Sequence, residues 1–165
     1  MSKTTLVKDR VLVVGGTGFI GTHIVKEALV RGLQVTIISK NHKALSDRIK
    51  DIEYLSIDIS NKDSLYNQLK DKIFHHVINL GGYVDHSNYS SGGEKVFDVH
   101  FNGTINLINC INKDSLRSFI QIGSSDEYGA NVAPQNESQR ESPISPYSFA
   151  KTTTTHFLQI LYRTE

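Results

Sequence analysis

The sequence predicts an α/β domain with a doubly wound parallel sheet, on three observations. Short apolar runs rich in β-branched residues recur at 11–14, 34–38, 52–57, 76–80 and 118–122. Segments with helical spacing lie between or after them, at 19–31, 43–50, 62–70 and 94–111. A glycine-rich turn joins the first run to the first helical segment. Strands that alternate with helices pack as a parallel sheet covered on both faces. The ligand site of such a sheet lies beyond the carboxyl ends of its strands.

The first strand, Val11-Leu12-Val13-Val14, runs into Gly15-Gly16-Thr17-Gly18-Phe19-Ile20-Gly21. Glycines at 15, 18 and 21 have the spacing of a dinucleotide-binding turn. The first allows a tight turn, the second lets backbone approach a pyrophosphate, and the third lets helix and strand sit close. The helix N-terminus then offers N–H groups and a partial positive charge to phosphate. Gly15, Thr17, Gly18, Phe19, Ile20 and Gly21 are therefore candidate cofactor residues. The helix at 19–31 puts Ile20, Ile24, Ala28 and Leu29 on one side, and Gly32 is its expected stop. The segment 94–111 offers Val96, Val99, Leu107, Ile108 and Ile111 for packing. Two long loops, 81–93 and 123–145, leave the expected ligand edge, and their length suits function.

At 165 residues the chain suits one domain with a real core. It is 38% hydrophobic and 21% charged, with a net charge of +1. That balance argues against disorder, membrane insertion and a nucleic-acid surface. Cys110 is the only cysteine, which excludes an intrachain disulfide and fits a reducing, cytoplasmic setting. The first ten residues are polar, so no targeting peptide is expected. His75 and His76 are neighbours in a strand and point to opposite faces, so no metal site is expected.

Ser145-Pro146-Tyr147-Ser148-Phe149-Ala150-Lys151 reads as a helix start. Ser145 suits the N-cap and Pro146 the first helical position. Tyr147 and Lys151 are four apart, on one face. An ammonium beside a phenol favours the phenolate, which suits proton transfer near neutral pH. Tyr66 and Lys70 repeat the spacing, but their helix ends by leading into the fourth strand, away from the ligand edge. Tyr147 instead follows the fifth strand and a serine-rich turn, Gly123-Ser124-Ser125-Asp126-Glu127-Tyr128-Gly129. The Thr152–Thr155 run is unfavourable in an isolated helix and needs tertiary support.

Glycine turn, serine turn and Tyr-x-x-x-Lys, in this order, resemble the extended short-chain dehydrogenase/reductases. These are the nucleotide-sugar epimerases, dehydratases and reductases, and the resemblance spans essentially the whole chain. Asn79-Leu80-Gly81-Gly82 is similar to the family's turn beneath the cofactor, and Asp58-Ile59 to its adenine-contacting pair. His100-Phe101-Asn102-Gly103-Thr104 resembles its Asn-Val-x-Gly-Thr helix motif. The resemblance implies a Rossmann-type sheet and an NAD(P)-dependent enzyme. It implies pyrophosphate at Gly15, Gly18 and Gly21, and a catalytic set of Ser124, Tyr147 and Lys151. Hydride would move at C4 of a nucleotide-diphosphate sugar. Asp126 stands where the dehydratases have a glutamate, with a shorter reach. The Ser-Ser-Asp-Glu-Tyr-Gly string looks more like that of the 4-keto-6-deoxy-sugar reductases. A reductase is thus the first reading, with a 4-epimerase and then a 4,6-dehydratase behind it. The helix of Tyr147 and Lys151 also suits a homodimer, its apolar Phe157, Leu158 and Leu161 serving that contact or a further domain.

Some features depart from the family. NAD-preferring relatives carry an acidic residue at the end of the second strand, where this chain has Ser39-Lys40-Asn41. A hydroxyl and a lysine suit a 2′-phosphate, so NADP is favoured over NAD. His100 replaces an asparagine, which weakens an expected polar contact. Asp85 and His86 read as loop polar groups. Family members run to roughly twice this length, with a C-terminal substrate domain that is expected to be absent here. Residues 1–165 would then be the cofactor domain alone, and a truncated dinucleotide-binding module without turnover is the reading from another class.

Overall fold

The computed structural model describes residues 8–41 and 48–165. Its central strand, β1 (Arg10–Val14), is buried from Val11 to Val14. Leu12 and Val14 enter one apolar cluster, while Val11 and Val13 enter another. A strand buried on both faces needs helices on both sides. β2 (Gln34–Ser39), β3 (Glu53–Ser56), β4 (His76–Asn79) and β5 (Ser118–Gln121) complete a five-stranded sheet in the order β3-β2-β1-β4-β5. Every pairing is parallel, and Val14 lies opposite both Ile38 and Asn79. The five apolar runs thus form the five strands, with ends shifted by a residue or two.

α1 (Phe19–Val30) covers the Val11 and Val13 face through Val25 and Ala28. The expected helix face needs one correction: Ile20 is exposed and Val25 is core. Ile20 stands in the first helical turn, at the carboxyl end of β1, where little sheet remains to cover it. Gly32 does stop the helix: its N–H donates to Leu29 O and the Leu33 N–H to Ala28 O.

The other face is covered by α2 (Lys62–Leu69) and α4 (Gly103–Cys110). Asn61 caps α2 by accepting from the Ser64 N–H at 3.0 Å, and Leu65 and Leu69 are fully buried one turn apart. Each such leucine contributes roughly 1.5–3 kcal/mol of burial. Tyr66, between them in sequence, is exposed, as is Lys70, so this Tyr-x-x-x-Lys pair lies on the surface.

The expected helix at 94–111 is three pieces: α3 (Gly93–Phe97), a π-helical turn at Asp98–Asn102, and α4. All five of its expected packing residues are buried. α5 (Pro146–Thr164) starts as anticipated, with Ser145 Oγ accepting from the Ser148 N–H at 3.1 Å. The threonine run is helical, and three of its four hydroxyls find acceptors. Thr152 donates to Ser148 O, Thr154 lies within reach of Ala150 O and His100 O, and Thr155 donates to Glu127 Oε2. The expected helix at 43–50 falls mostly outside the described residues, and 48–50 are not helical. Among the described residues no helix is long and apolar enough to cross a membrane.

The chain passes from β3, at one edge, through α2 to β4 on the far side of β1. The strand order therefore reverses between β1 and β4, which opens a crevice at their carboxyl ends.

Candidate active site

A cavity of about 370 Å³ opens at that crevice. Gly15 makes the turn after β1 with φ +76°, and a Cβ there would sit 3.0 Å from Leu80 O. A Cβ at Gly21 would overlap the Gly15 carbonyl oxygen, so α1 packs directly on the turn. Gly18 caps α1 without a side-chain hydrogen bond. Backbone mainly shapes this end of the cavity, and the first helical N–H groups have no capping side chain. Such a terminus suits an anion. A pyrophosphate fits here because the cradle is made of atoms that any side chain would displace.

Most expected cofactor residues line this one cavity: Gly15, Thr17, Gly18, Ser39, Lys40, Asp58, Ile59, Leu80, Gly81 and Gly82. Phe19, Ile20, Gly21, Tyr147 and Lys151 do not: the side chains of Phe19 and Ile20 face solvent, while Gly21, Tyr147 and Lys151 are buried outside it. Within the turn, Thr17 Oγ1 lies 3.0 Å from Ser39 Oγ at the end of β2. Lys40 Nζ lies 2.8 Å from Asp58 Oδ2. The hydrogen bond and charge of Asp58 raise the Lys40 pKa. Burial works to raise the Asp58 pKa, but hydrogen bonds from Lys40 and Ser60 outweigh it and hold the carboxyl below its ordinary range.

The second half of the site gathers around the carboxyl end of β5. A 3₁₀ turn at Ser125–Tyr128 carries the serine motif. Ser124 caps it: Oγ accepts from the Asp126 N–H at 3.2 Å, and the Ser124 N–H donates to Glu127 Oε1 at 2.8 Å. Tyr147 and Lys151 are both 7% exposed. Lys151 Nζ donates to Ile122 O at 2.8 Å and lies 6.0 Å from the centre of the Tyr147 ring. Burial lowers the Lys151 pKa, and the Glu127 charge opposes that.

His86, read from sequence as a loop residue, ties the pieces together. Its Nε2 is 3.5 Å from Asp126 Oδ2, and its Nδ1 is 3.3 Å from Ser145 Oγ. Its ring meets the Tyr147 ring edge-on at 5.5 Å. Asp126 is thus turned toward His86, whereas Glu127 is buried and holds the turn. The two acids of the motif have different jobs, which spacing alone does not reveal.

The NAD dependent epimerase/dehydratase family model matches residues 11–164. The chain belongs to this family. It is 27% identical over 156 residues to a bifunctional UDP-glucose and UDP-xylose 4-epimerase of Pisum sativum, covering 87% of this chain and 45% of that one. It is 30% identical over 138 residues to a UDP-N-acetyl-alpha-D-glucosaminuronate decarboxylase of Bacillus cytotoxicus, covering 79% and 41%. The chain therefore spans less than half the length of these relatives. A Thermotoga maritima UDP-glucose 4-epimerase with UDP-glucose superimposes with a TM-score of 0.83 at 23% identity, over 94% of this chain and 52% of that one. The Thermus thermophilus UDP-glucose 4-epimerase with NAD gives 0.81 at 24% identity, over 94% and 51%. These two likenesses are of fold.

One position of this epimerase/dehydratase family member adds to the sequence reading. His100 makes a polar contact of its own, with Nε2 2.8 Å from Tyr83 O. A carbonyl only accepts, so Nε2 carries the proton in the neutral ring. Nδ1 is then an acceptor, buried and without a partner among the described residues. Burial pushes the His100 pKa down to about 4; the Tyr83 hydrogen bond opposes this and the Lys151 charge adds to it. The ring meets Tyr147 edge-on at 5.2 Å and lies where a Gly82 Cβ would stand. Glycine at 82 makes room for the larger side chain.

Proposed function

We propose that this chain is the dinucleotide-binding half of an NAD(P)-dependent enzyme that transfers hydride at C4 of a nucleotide-diphosphate sugar. The observation that carries the proposal is the shared carboxyl edge: one crevice holds the backbone cradle at Gly15–Gly21, and the same edge holds Ser124, Tyr147 and Lys151. Bound NAD(P) would supply the hydride acceptor and donor. Gly15, Gly18 and Gly21 would hold the pyrophosphate, Asp58 and Ile59 the adenine, and Leu80, Gly81 and Gly82 the floor beneath the nicotinamide. Tyr147 would move the proton at its phenol oxygen. Lys151 would hold the cofactor ribose and favour the phenolate. Ser124 would donate to the sugar oxygen, and Asp126, held by His86, would stand as a second acid or base.

Epimerisation at C4 is the first reading of the reaction, because the similar proteins include several UDP-glucose 4-epimerases. The 4-keto-6-deoxy-sugar reductase is the second. Two features favour it: the acid pair Asp126-Glu127, and the lack of a carboxylate in Ser39-Lys40-Asn41, which suits NADP. Lys40 would have to leave Asp58 to meet a 2′-phosphate. A homodimer through α5 belongs to the same proposal, since Phe149 is 53% exposed and stacks on Phe97 at its surface. So does a reducing, cytoplasmic setting, with Cys110 a buried lone thiol.

Calorimetry with NADH and NADPH tests cofactor and reaction class together. The reductase reading expects tighter NADPH binding, reversed about tenfold by Lys40→Asp. The epimerase reading expects NADH to bind at least as tightly as NADPH. Binding of neither would sink the proposal for this chain.

A further inference from the structure

Glu127 is 6% exposed, and no cation touches its carboxylate among the described residues. Its Oε1 accepts from the Ser124 N–H at 2.8 Å, and its Oε2 from Thr155 Oγ1 at 2.8 Å. Both donors are neutral. Gly123 leaves room for the carboxylate, since a Cβ there would sit 2.8 Å from Oε1. Lys151, on α5, is the other buried charge nearby, and its ammonium donates to a neutral carbonyl, Ile122 O. An isolated buried charge is costly, so two opposite ones in each other's field stabilise each other.

We infer that Glu127 is the positioning residue of the Tyr147–Lys151 pair. Its hydrogen bonds fix the Ser124 turn against α5, and its charge is the counter-ion of the Lys151 ammonium. The inference rests on the proposed catalytic set, to which it adds a residue. Four elements surround the ammonium. The serine turn brings Glu127, the end of β5 brings the Ile122 carbonyl, and α5 itself brings Tyr147. The π-helical turn brings His100, which is neutral at physiological pH. Glu127 is thus the negative charge among them, and it opposes the effect of burial on Lys151. The geometry sets the two charges side by side: Glu127 Oε2 is bonded to Thr155, one helical turn beyond Lys151 on α5, and Glu127 Oε1 lies against Gly123, next to the Ile122 whose carbonyl accepts from Lys151.

The test is a pH titration of Lys151 by NMR, with ¹³C at lysine Cε, in the cofactor-free 165-residue chain. Glu127→Gln keeps an acceptor for the Ser124 N–H and removes the charge. It should lower the Lys151 midpoint by about one pH unit or more. Thr155→Val removes a hydrogen bond from the same carboxylate and keeps the charge, so the midpoint should stay near the parent value. Should Glu127→Gln not fold, Glu127→Asp shortens the side chain and should lower the midpoint partway. A midpoint unmoved in the Gln or Asp variant, or moved equally in Thr155→Val, would overturn the inference. NAD⁺ affinity across the same pH range separates the two claims. If the midpoint falls while affinity stays flat, Glu127 keeps its role and Lys151 loses its proposed part in holding the cofactor.

Discussion

The two halves of the site are made of different materials. The turn after β1 is backbone: Gly15, Gly18 and Gly21 shape it, and no side chain caps the helix behind it. The edge after β5 is a set of buried polar side chains, among them His100, Glu127, Lys151 and Thr154. The first half is a shape, which admits no added atom but does not titrate. The second is a balance of charge and hydrogen bonds, which changes with ionisation. A crevice between them joins a ligand that needs close approach to chemistry that needs a poised proton.

Acid should separate the halves most strongly. The folded His100 pKa, about 4, is below the ordinary 6.5. Below pH 6.5 the unfolded chain therefore binds a proton that the folded chain refuses, and stability falls as pH drops toward 4. The loss amounts to about 3 kcal/mol by pH 4. Urea unfolding at a series of pH values measures it, and His100→Asn should flatten this part of the profile. An unchanged slope in that variant would place the acid sensitivity elsewhere.

Gly21→Ala probes the other half. The added Cβ meets the Gly15 carbonyl, so overpacking should cost about 2 kcal/mol of stability, and the turn, forced to shift, should lose roughly tenfold or more in NAD⁺ affinity. Calorimetry at pH 6 and pH 8 should find the same loss, since nothing in the turn titrates. A loss that changes with pH would break the contrast. Thr154→Val is the mildest case. It removes one buried hydroxyl between α5 and the π-helical turn, and should cost about 1 kcal/mol in urea unfolding. A neutral result would mean that the hydroxyl is not needed to hold those two elements together.

The backbone half was the more legible in the sequence. Val11 to Val14 are buried on both faces, so their run announces a central strand, and glycine spacing follows from what a tight turn allows. The start of α5 was readable because Ser145 and Pro146 act locally. The polar half was less so, because its contacts join residues far apart in the chain. His86 reaches Asp126 and Tyr147 from another loop, and Lys40 meets Asp58 across two strand ends. The different roles of Asp126 and Glu127 depend on the pitch of one 3₁₀ turn. The π-helical turn that carries His100 leaves no mark in the apolar pattern, since Val96, Val99 and Leu107 are buried on either side of it.

The central claim is that the crevice between β1 and β4 binds a dinucleotide. Amide NMR of the 165-residue chain, titrated with NAD⁺ and NADPH, tests it most directly. Shifts should concentrate at Gly15–Gly21, at Asp58 and Ile59, and at Leu80–Gly82. Shifts confined to the apolar groove between Phe119 and Leu158, or none at millimolar dinucleotide, would contradict it.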